Sequence, residues 1–418
     1  MDNFINLFID YLIIKRSGLF DADFYSFTYA DVRQAKIKPL IHYLQYGGRE
    51  GRNPSIFFDT SYYLSNFKDF QKPKINPFSH WLIHGRFENK DPSPYYKNPE
   101  VYLNIKTSKK FPKIFFRYLK CIIPKKGNKQ IPEPRDFSFD EDKDFIDQRY
   151  QKIHGRPINY ERPRTFTEKM QIYKLYYRKP ILQRLSDKYL VRDFIAEKLG
   201  EAYLVPLITV CDDVNNLPEK NLPDQFIIKT NHGSGWNIIC WDRNNFDWDY
   251  SKFKLQQWLN TNYYWIFREW CYKKIQPKIL IEELLLDNQG KIPIDYKIHC
   301  FNGNPKIIEI HVDRYSDHKI LYLDLDWEIL PFRKTFPAST KKPSRPENIT
   351  KMINISKELS NGLPFVRIDF YSIDNKVYLG EMTFHPGSGF SKFHPPEWDI
   401  ILADWFEISS FYPDNHKK

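Results

Sequence analysis

Short runs of alternating apolar and polar residues recur through the second half of the chain, with the period of two that half-buried strands show. "QFIIK" (225–229), "IIC" (238–240) and "KILIEELL" (278–285) read as strands, the first two joined by the loop "TNHGSGWN". "DYKIHCFNGNPKIIEIHV" sets Asn302-Gly303 between two alternating runs, a strong hairpin signal. "FVRIDFYSIDNKVYLGEMTF" (365–384) reads as a second hairpin around Asp374 and Asn375. Helical segments intervene. Thr165 and Glu168 form a capping-box pattern, and "SDKYLVRDFIAEKLG" reads as a helix with Ser186 as N-cap and Gly200 just past its end. "RPENITKMINISKELSNG" is a further helix before the last hairpin. The pattern predicts an α+β chain with mostly antiparallel sheets.

The N-terminal part has a different rhythm. "FDADFYSFTYADVRQAKIKPLIHYLQYGGREGRNP" from Phe20 is repeated as "FDTSYYLSNFKDFQKPKINPFSHWLIHGRFENKDP" from Phe58. Asp21 and Asp59, Pro39 and Pro77, His42 and His80, Gly47 and Gly85, Glu50 and Glu88, and Pro54 and Pro92 keep one offset of 38 residues. Each unit reads as short helices bounded by Pro and Gly. His42 and His80 follow apolar helix positions and are expected as hydrogen-bonded core residues, not metal ligands. A Lys- and Pro-rich stretch then suggests a basic linker with one helix. The expected organisation is a helical repeat module at 1–97, a linker at 98–145 and an α+β domain at 146–418.

Composition narrows the partners. The 418 residues carry a formal charge of +11, with 41% hydrophobic and 17% aromatic residues, which fits a folded protein with acidic partners. Cys121, Cys211, Cys240, Cys271 and Cys300 are odd in number and contain no CxxC pair, so reduced thiols are expected, and neither a disulfide framework nor a zinc site. The start "MDNFINLFIDYLIIKRSG" lacks a basic n-region and is too short to span a bilayer; a docked helix is expected. These features favour a cytoplasmic location.

The last hairpin poses a question. Val366, Ile368 and Phe370 share one face, leaving Arg367 and Asp369 on the other with Glu381 and Thr383. A connection with an odd number of residues would set Asp369 opposite Glu381, and two opposed like charges are destabilising unless a cation lies between them. A divalent ion held by both carboxylates would resolve this, since hard oxygens suit Mg²⁺. Neutralising either acid is then expected to leave the metal-free fold as stable or more so. The Gly-rich "HGSG" loop would let backbone N–H groups approach phosphate oxygens, with Lys188 and Lys229 adding charge.

In this order, the segments "FTEKMQ", "SDKYLVRDF", "IIKTNHGSG", "REWCYK", "DYKIHCFNG" and "GEMTFHPGSG" resemble the TupA-like (teichuronopeptide biosynthesis) branch of the ATP-grasp family, over residues 150 to 410. The repeats resemble modules associated with glycosyltransferases of bacterial surface polysaccharides. The resemblance implies an ATP-grasp fold, two α+β subdomains clamping ATP, behind a mainly helical repeat module. By the same resemblance, Lys188, Lys229, His232, Gly233, Ser234 and Gly235 would serve the phosphates. Glu282, Glu283, Leu284 and Leu285 would line the adenine, and Asp295 with Lys297 would serve the ribose or orient a lysine. Arg367 and Lys229 would be catalytic, and Asp369, Glu381 and Thr383 would bind Mg²⁺. Thr383 departs from the family, where Asn commonly stands two residues after the metal Glu.

The activity implied is ATP-dependent ligation of a carboxylate to an amine in surface-polysaccharide (capsule or exopolysaccharide) biosynthesis. The acceptor would be an anionic, uronic-acid-containing glycan and the amine an amino acid or peptide, with peripheral association to membrane-bound glycan assembly. Nucleic acid is not expected, because no recognition motif accompanies the charge. The rivals are a glycosyltransferase, for which "DLD" at Asp324 and Asp326 is a weak signal in a strand-like run, and a non-catalytic polysaccharide-binding protein.

Overall fold

The structure is a computed structural model and describes residues 2–35, 37–55, 58–67, 76–85, 90, 92, 93, 137–312, 319–334, 336–339 and 342–412. The chain divides into two units, Met1–Asp136 and Phe137–Lys418. Residues 94–136 lie outside the described residues, and with them Cys121 and most of the expected basic linker. The second unit starts earlier than the domain expected from residue 146. Ser138 caps the helix Phe139–His154 through a reciprocal capping box with Glu141, so residue 146 lies in mid-helix.

In the first unit the two repeats share several contacts at equivalent positions. Asp21 and Asp59 cap the helices Ala22–Thr28 and Thr60–Asn66 by accepting from Phe24 N at 2.9 Å and Tyr62 N at 2.8 Å. Pro39 and Pro77 open the helices Pro39–His42 and Pro77–Ile83, where a missing N–H costs nothing. The Tyr25 hydroxyl meets His42 Nδ1 at 3.0 Å, and the Tyr63 hydroxyl meets His80 Nδ1 at 2.9 Å. Any side chain at Gly47 or Gly85 would collide with the hydroxyl of Tyr25 or Tyr63, respectively. Both histidines are therefore packing residues.

The second unit contains two antiparallel sheets. Strands β1 (Leu207–Cys211), β2 (Phe226–Thr230), β3 (Asn237–Cys240) and β4 (Ile279–Glu283) lie in the order β1-β4-β2-β3. Strands β5 (Asp295–Phe301), β6 (Asn304–Val312), β7 (Lys319–Leu323), β8 (Phe365–Ile373) and β9 (Lys376–Thr383) lie in the order β7-β6-β5-β8-β9. The α+β expectation and both hairpins hold. Asn302 and Gly303 have φ of 48° and 78° in the two-residue turn joining β5 to β6, as a type I′ turn requires.

Alternation gives each sheet an apolar face and a polar one. On the four-stranded sheet Phe226, Ile228, Ile279 and Ile281 are fully buried, and Phe226 stacks on Trp248 of the helix Trp248–Leu259. Lys229 and Glu282 point the other way. On the five-stranded sheet Ile298, Ile308, Ile310, Ile368 and Phe370 are fully buried on the face covered by the helix Ile349–Leu359. Lys297, His299, Glu309, Arg367, Asp369 and Glu381 occupy the opposite face. The helices Phe166–Tyr176 and Glu397–Trp405 lock together where Asp399 accepts from Thr167 N at 2.8 Å and Thr167 Oγ1 at 2.7 Å. Among the described residues no helix is long and apolar enough to cross a membrane.

Candidate active site

The Gly-rich loop between β2 and β3 is shaped by its aromatic floor. Trp236 is buried and lies parallel to Trp258, with ring centroids 6.1 Å apart. A Cβ on Gly233 would fall 2.3 Å from the Trp236 ring, and Gly235 has φ of +73°, so both positions need glycine. Ser234 and Gly235 are exposed at the tip. His232 is not. Its ring is buried, with Nδ1 at 3.2 Å from Asn231 Oδ1 and Nε2 at 2.9 Å from the Trp258 carbonyl. Burial pushes its pKa down to about 4, so the ring is neutral and braces the loop from below. The side chain lies beneath the loop, and the single N–H of a neutral ring can serve only one of these two oxygens, the nearer being the Trp258 carbonyl.

The turn carrying Lys188 is tied to the same loop. Ser186 ends the helix Pro180–Ser186 and does not cap the next one. Asp187 takes the expected role, accepting from Tyr189 N at 2.8 Å and Leu190 N at 3.3 Å ahead of the helix Val191–Leu199, and Gly200 closes that helix with φ of +95°. Asn231 Nδ2 donates to Asp187 Oδ1 at 3.0 Å, and Lys188 N donates to the Asn231 carbonyl at 3.2 Å. Lys188 Nζ donates to the Gly233 carbonyl and lies 3.7 Å from Glu381 Oε2. Burial lowers the Lys188 pKa, with Glu381 acting in the opposite direction. One lysine thus joins the glycine loop of the first sheet to a carboxylate of the second.

Lys229 leaves β2 on the polar face and pairs with Glu282 Oε2 at 2.7 Å, while Arg192 reaches Glu282 Oε1 at 3.2 Å. Glu282 is 5% exposed, so its carboxylate is consumed in orienting two cations. Glu283 is exposed on the other face. There it borders a cavity of about 790 Å³ with Leu284, Asp224 and Trp241, and its backbone N–H donates to the Pro206 carbonyl at 3.0 Å. Leu285, just beyond β4, is half-buried.

On the second sheet Asp369 is the register partner of Glu381, but by a route other than the one expected. The turn between β8 and β9 has two residues, Asp374 and Asn375, both with positive φ. An even turn alone would set Asp369 opposite Gly380; a register shift at that glycine moves Glu381 into place. The two acids are already surrounded by cations. Arg367 Nε and Nη2 donate to Asp369 Oδ1 and Oδ2, both at 2.7 Å, and Lys297 also donates to Oδ2. Lys297 Nζ lies 2.6 Å from Asp295 Oδ2 as well. Glu381 is held more loosely, 3.5 Å from Arg367 and 3.7 Å from Lys188. Thr383 Oγ1 accepts from Arg367 Nη2 at 3.2 Å and donates to Glu381 Oε1 at 3.4 Å. Burial outweighs Arg367 and Lys297 and raises the Asp369 pKa to about 6. The opposition that called for a divalent ion is therefore met by the protein's own cations.

Several contributors were not among the expected site residues. Arg192 lies inside the segment "SDKYLVRDF", at the second position of the helix Val191–Leu199. Glu309, the register partner of Lys297, is gripped by His299 Nε2 at 2.8 Å and His311 Nε2 at 2.6 Å and extends the polar face beyond the expected residues. Asp324 and Asp326 sit in a turn after β7, where Asp324 Oδ1 accepts from the N–H groups of Asp326 at 3.0 Å and Glu328 at 2.8 Å. That pairing accounts for the "DLD" string.

A family model described as TupA-like ATP-grasp matches residues 168–407, more than half of the chain. No curated protein matches the sequence. Similar solved structures include the D-alanine–D-alanine ligase from Bacillus anthracis complexed with ATP (14% identity, TM-score 0.29, covering 49% of this chain and 55% of that one). They also include the ATP-grasp ligase PsnB complexed with minimal precursor, Mg and ADP (11%, 0.29, 52% and 57%). The D-alanine–D-alanine ligase from Helicobacter pylori is a third (20%, 0.28, 49% and 53%). This chain spans little more than half the length of each.

Proposed function

The chain belongs to the TupA-like ATP-grasp family, and we propose that it joins a carboxylate to an amine with cleavage of ATP to ADP and phosphate. The fold is ATP-grasp, with a helical unit ahead of it. The observation that carries the reading is the meeting of two charged faces: Lys188 and Lys229 beside the glycine loop, and the Arg367–Asp369–Glu381 group to which Lys188 reaches. In this reading the glycine loop and the two lysines hold the ATP phosphates, and the end of β4 offers its backbone to the adenine.

A carboxylate oxygen of the acceptor attacks the γ-phosphorus, the bond to ADP breaks, and an acyl phosphate results. The amine nitrogen then attacks the acyl carbon, losing a proton, and phosphate leaves. Arg367 and the lysines lower both barriers by holding negative charge as it moves. Glu282 keeps Lys229 aimed, and Asp295 and Asp369 keep Lys297 in place.

The donor set suits Mg²⁺, because Asp369, Glu381 and Thr383 all offer hard oxygens. Glu381 is the accessible ligand, at 29% side-chain exposure; Asp369 becomes one only by giving up part of its grip on Arg367 or Lys297. When bound, the ion would neutralise phosphate charge.

The finer reading is that the acceptor is an anionic, uronic-acid-containing glycan of the bacterial surface and the amine an amino acid or peptide. The charge of +11 and the repeats support it. The first unit would then recognise polymer or assembly machinery at the cytoplasmic side of the membrane. Incubation with Mg²⁺-ATP, a uronic acid and an amine is expected to release ADP and phosphate in step with amide formation. Release of AMP and pyrophosphate, or turnover of a sugar nucleotide, would overturn the proposal.

A further inference from the structure

Glu269, Cys271 and His385 converge in the interior of the second unit, at 5%, 1% and 3% exposure. Glu269 and Cys271 come from the segment after the helix Tyr264–Phe267, where Arg268 adopts φ of +59° and turns the chain. His385 stands where the chain leaves β9, four residues after Glu381, and its carbonyl accepts from Ser388 N at 2.7 Å. The Cys271 sulfur and Glu269 Oε2 both lie 3.7 Å from the same ring atom, His385 Nδ1, and the three donor atoms all fall within 4.8 Å of one another. Among the described residues His385 Nε2 meets no hydrogen-bond partner, and the polar contacts of the ring are made by Nδ1 with this cluster.

The Cys271 sulfur lies within hydrogen-bonding range of His385 Nδ1, but the carboxylate, at 3.7 Å, lies beyond the about 2.7–3.2 Å of an N–H···O bond. Ligands at about 2.0–2.3 Å from one tetrahedral ion are instead separated by about 3.3–3.6 Å, close to the two 3.7 Å separations from His385 Nδ1. The chemistry also differs from that of the Asp369–Glu381 pair: one sulfur, one imidazole nitrogen and one carboxylate select a borderline-soft ion over Mg²⁺.

We propose that Glu269, Cys271 and His385 form a zinc site with water as the fourth ligand. As the S–Zn bond forms, the Cys271 proton passes to solvent, and the thiolate and carboxylate together balance the ion's two positive charges. The ion ties the segment Arg268–Tyr272 to the exit of β9 and so steadies the strand that carries Glu381 and Thr383. Burial pushes the Cys271 thiol far above its ordinary pKa, so in the metal-free protein it stays protonated and inert. The site does not depend on the nucleotide reading.

The test is the metal content of the full chain purified without chelator, followed by Co²⁺ titration of the chelator-treated protein. Close to one zinc per chain is expected, and cobalt should give the intense thiolate charge-transfer band of a tetrahedral site. Cys271→Ser should lose that band, and His385→Gln should weaken cobalt binding by 10-fold or more, on the order of what loss of a ligand contact costs. The wild-type titration needs no variant to fold. Zinc well below one equivalent with no charge-transfer band, or the same band in Cys271→Ser, would overturn the site.

Discussion

Asp369 and Glu381 face each other across one rung of the hairpin, yet their surroundings make them unequal. Asp369 is 3% exposed and gripped by Arg367 and Lys297, whereas Glu381 is partly open to solvent with ion-pair distances of 3.5 and 3.7 Å. Asp369→Asn leaves two buried cations short of their counter-charge and should cost about 3–5 kcal/mol in the absence of nucleotide. Glu381→Gln should cost less than about 1 kcal/mol, as for a solvent-screened pair. This reverses, for Asp369, the expectation that removing a repelling charge would be neutral or stabilising. Both variants should lose ADP release. Thermal melts with and without Mg²⁺-ATP decide: equal loss of stability in the two variants, or full nucleotide stabilisation in both, would contradict this account.

At the scale of elements, local geometry is set by glycines whose neighbours forbid anything larger. Gly233 sits against the face of Trp236, which in turn rests on Trp258, so Gly233→Ala must either displace the indole or bend the loop. The expected cost is about 1–3 kcal/mol, typical of overpacking. ATP affinity should fall by more than stability alone would explain, because the backbone N–H groups shift with the loop. Isothermal titration at a temperature where the variant remains folded measures this, and an unchanged affinity would remove the loop from the phosphate site. The bulge at Gly380 acts by register, changing which residue Asp369 faces without a change of residue type.

Across the whole second unit, buried histidines make the fold acid-sensitive. His232 and His299 are each lowered by burial to about 4, against an ordinary value of 6.5. Between those values the unfolded chain binds more protons than the folded one, so stability rises with pH there and is lost as pH falls. Glu309, held well below the usual carboxylate range by its two histidines despite burial, acts in the same direction, whereas Asp369, raised to about 6, acts against it. Each buried histidine should contribute about 2 kcal/mol of loss between pH about 7 and about 5. Urea midpoints across that range should fall for the wild type and fall less for His232→Gln. An identical slope in both would show that His232 is protonated in the fold.

Alternation, turn residues and caps were legible because they act over a few positions. The strands β2 to β6, the Asn302-Gly303 hairpin, the capping box at Thr165 and the 38-residue repeat all follow from local preference, and the structure shows each of them. The string "HGSG" likewise announced a tight loop. Its chemistry was another matter. That His232 points inward and that Glu282 is spent on Lys229 and Arg192 depended on which partners the fold brought within reach. Lys188 is 193 residues from Glu381, and Lys297 is 72 from Asp369, so no local pattern encodes those pairs. A charge's role is set by the field of its neighbours and by its burial, and both exist only once distant segments have packed.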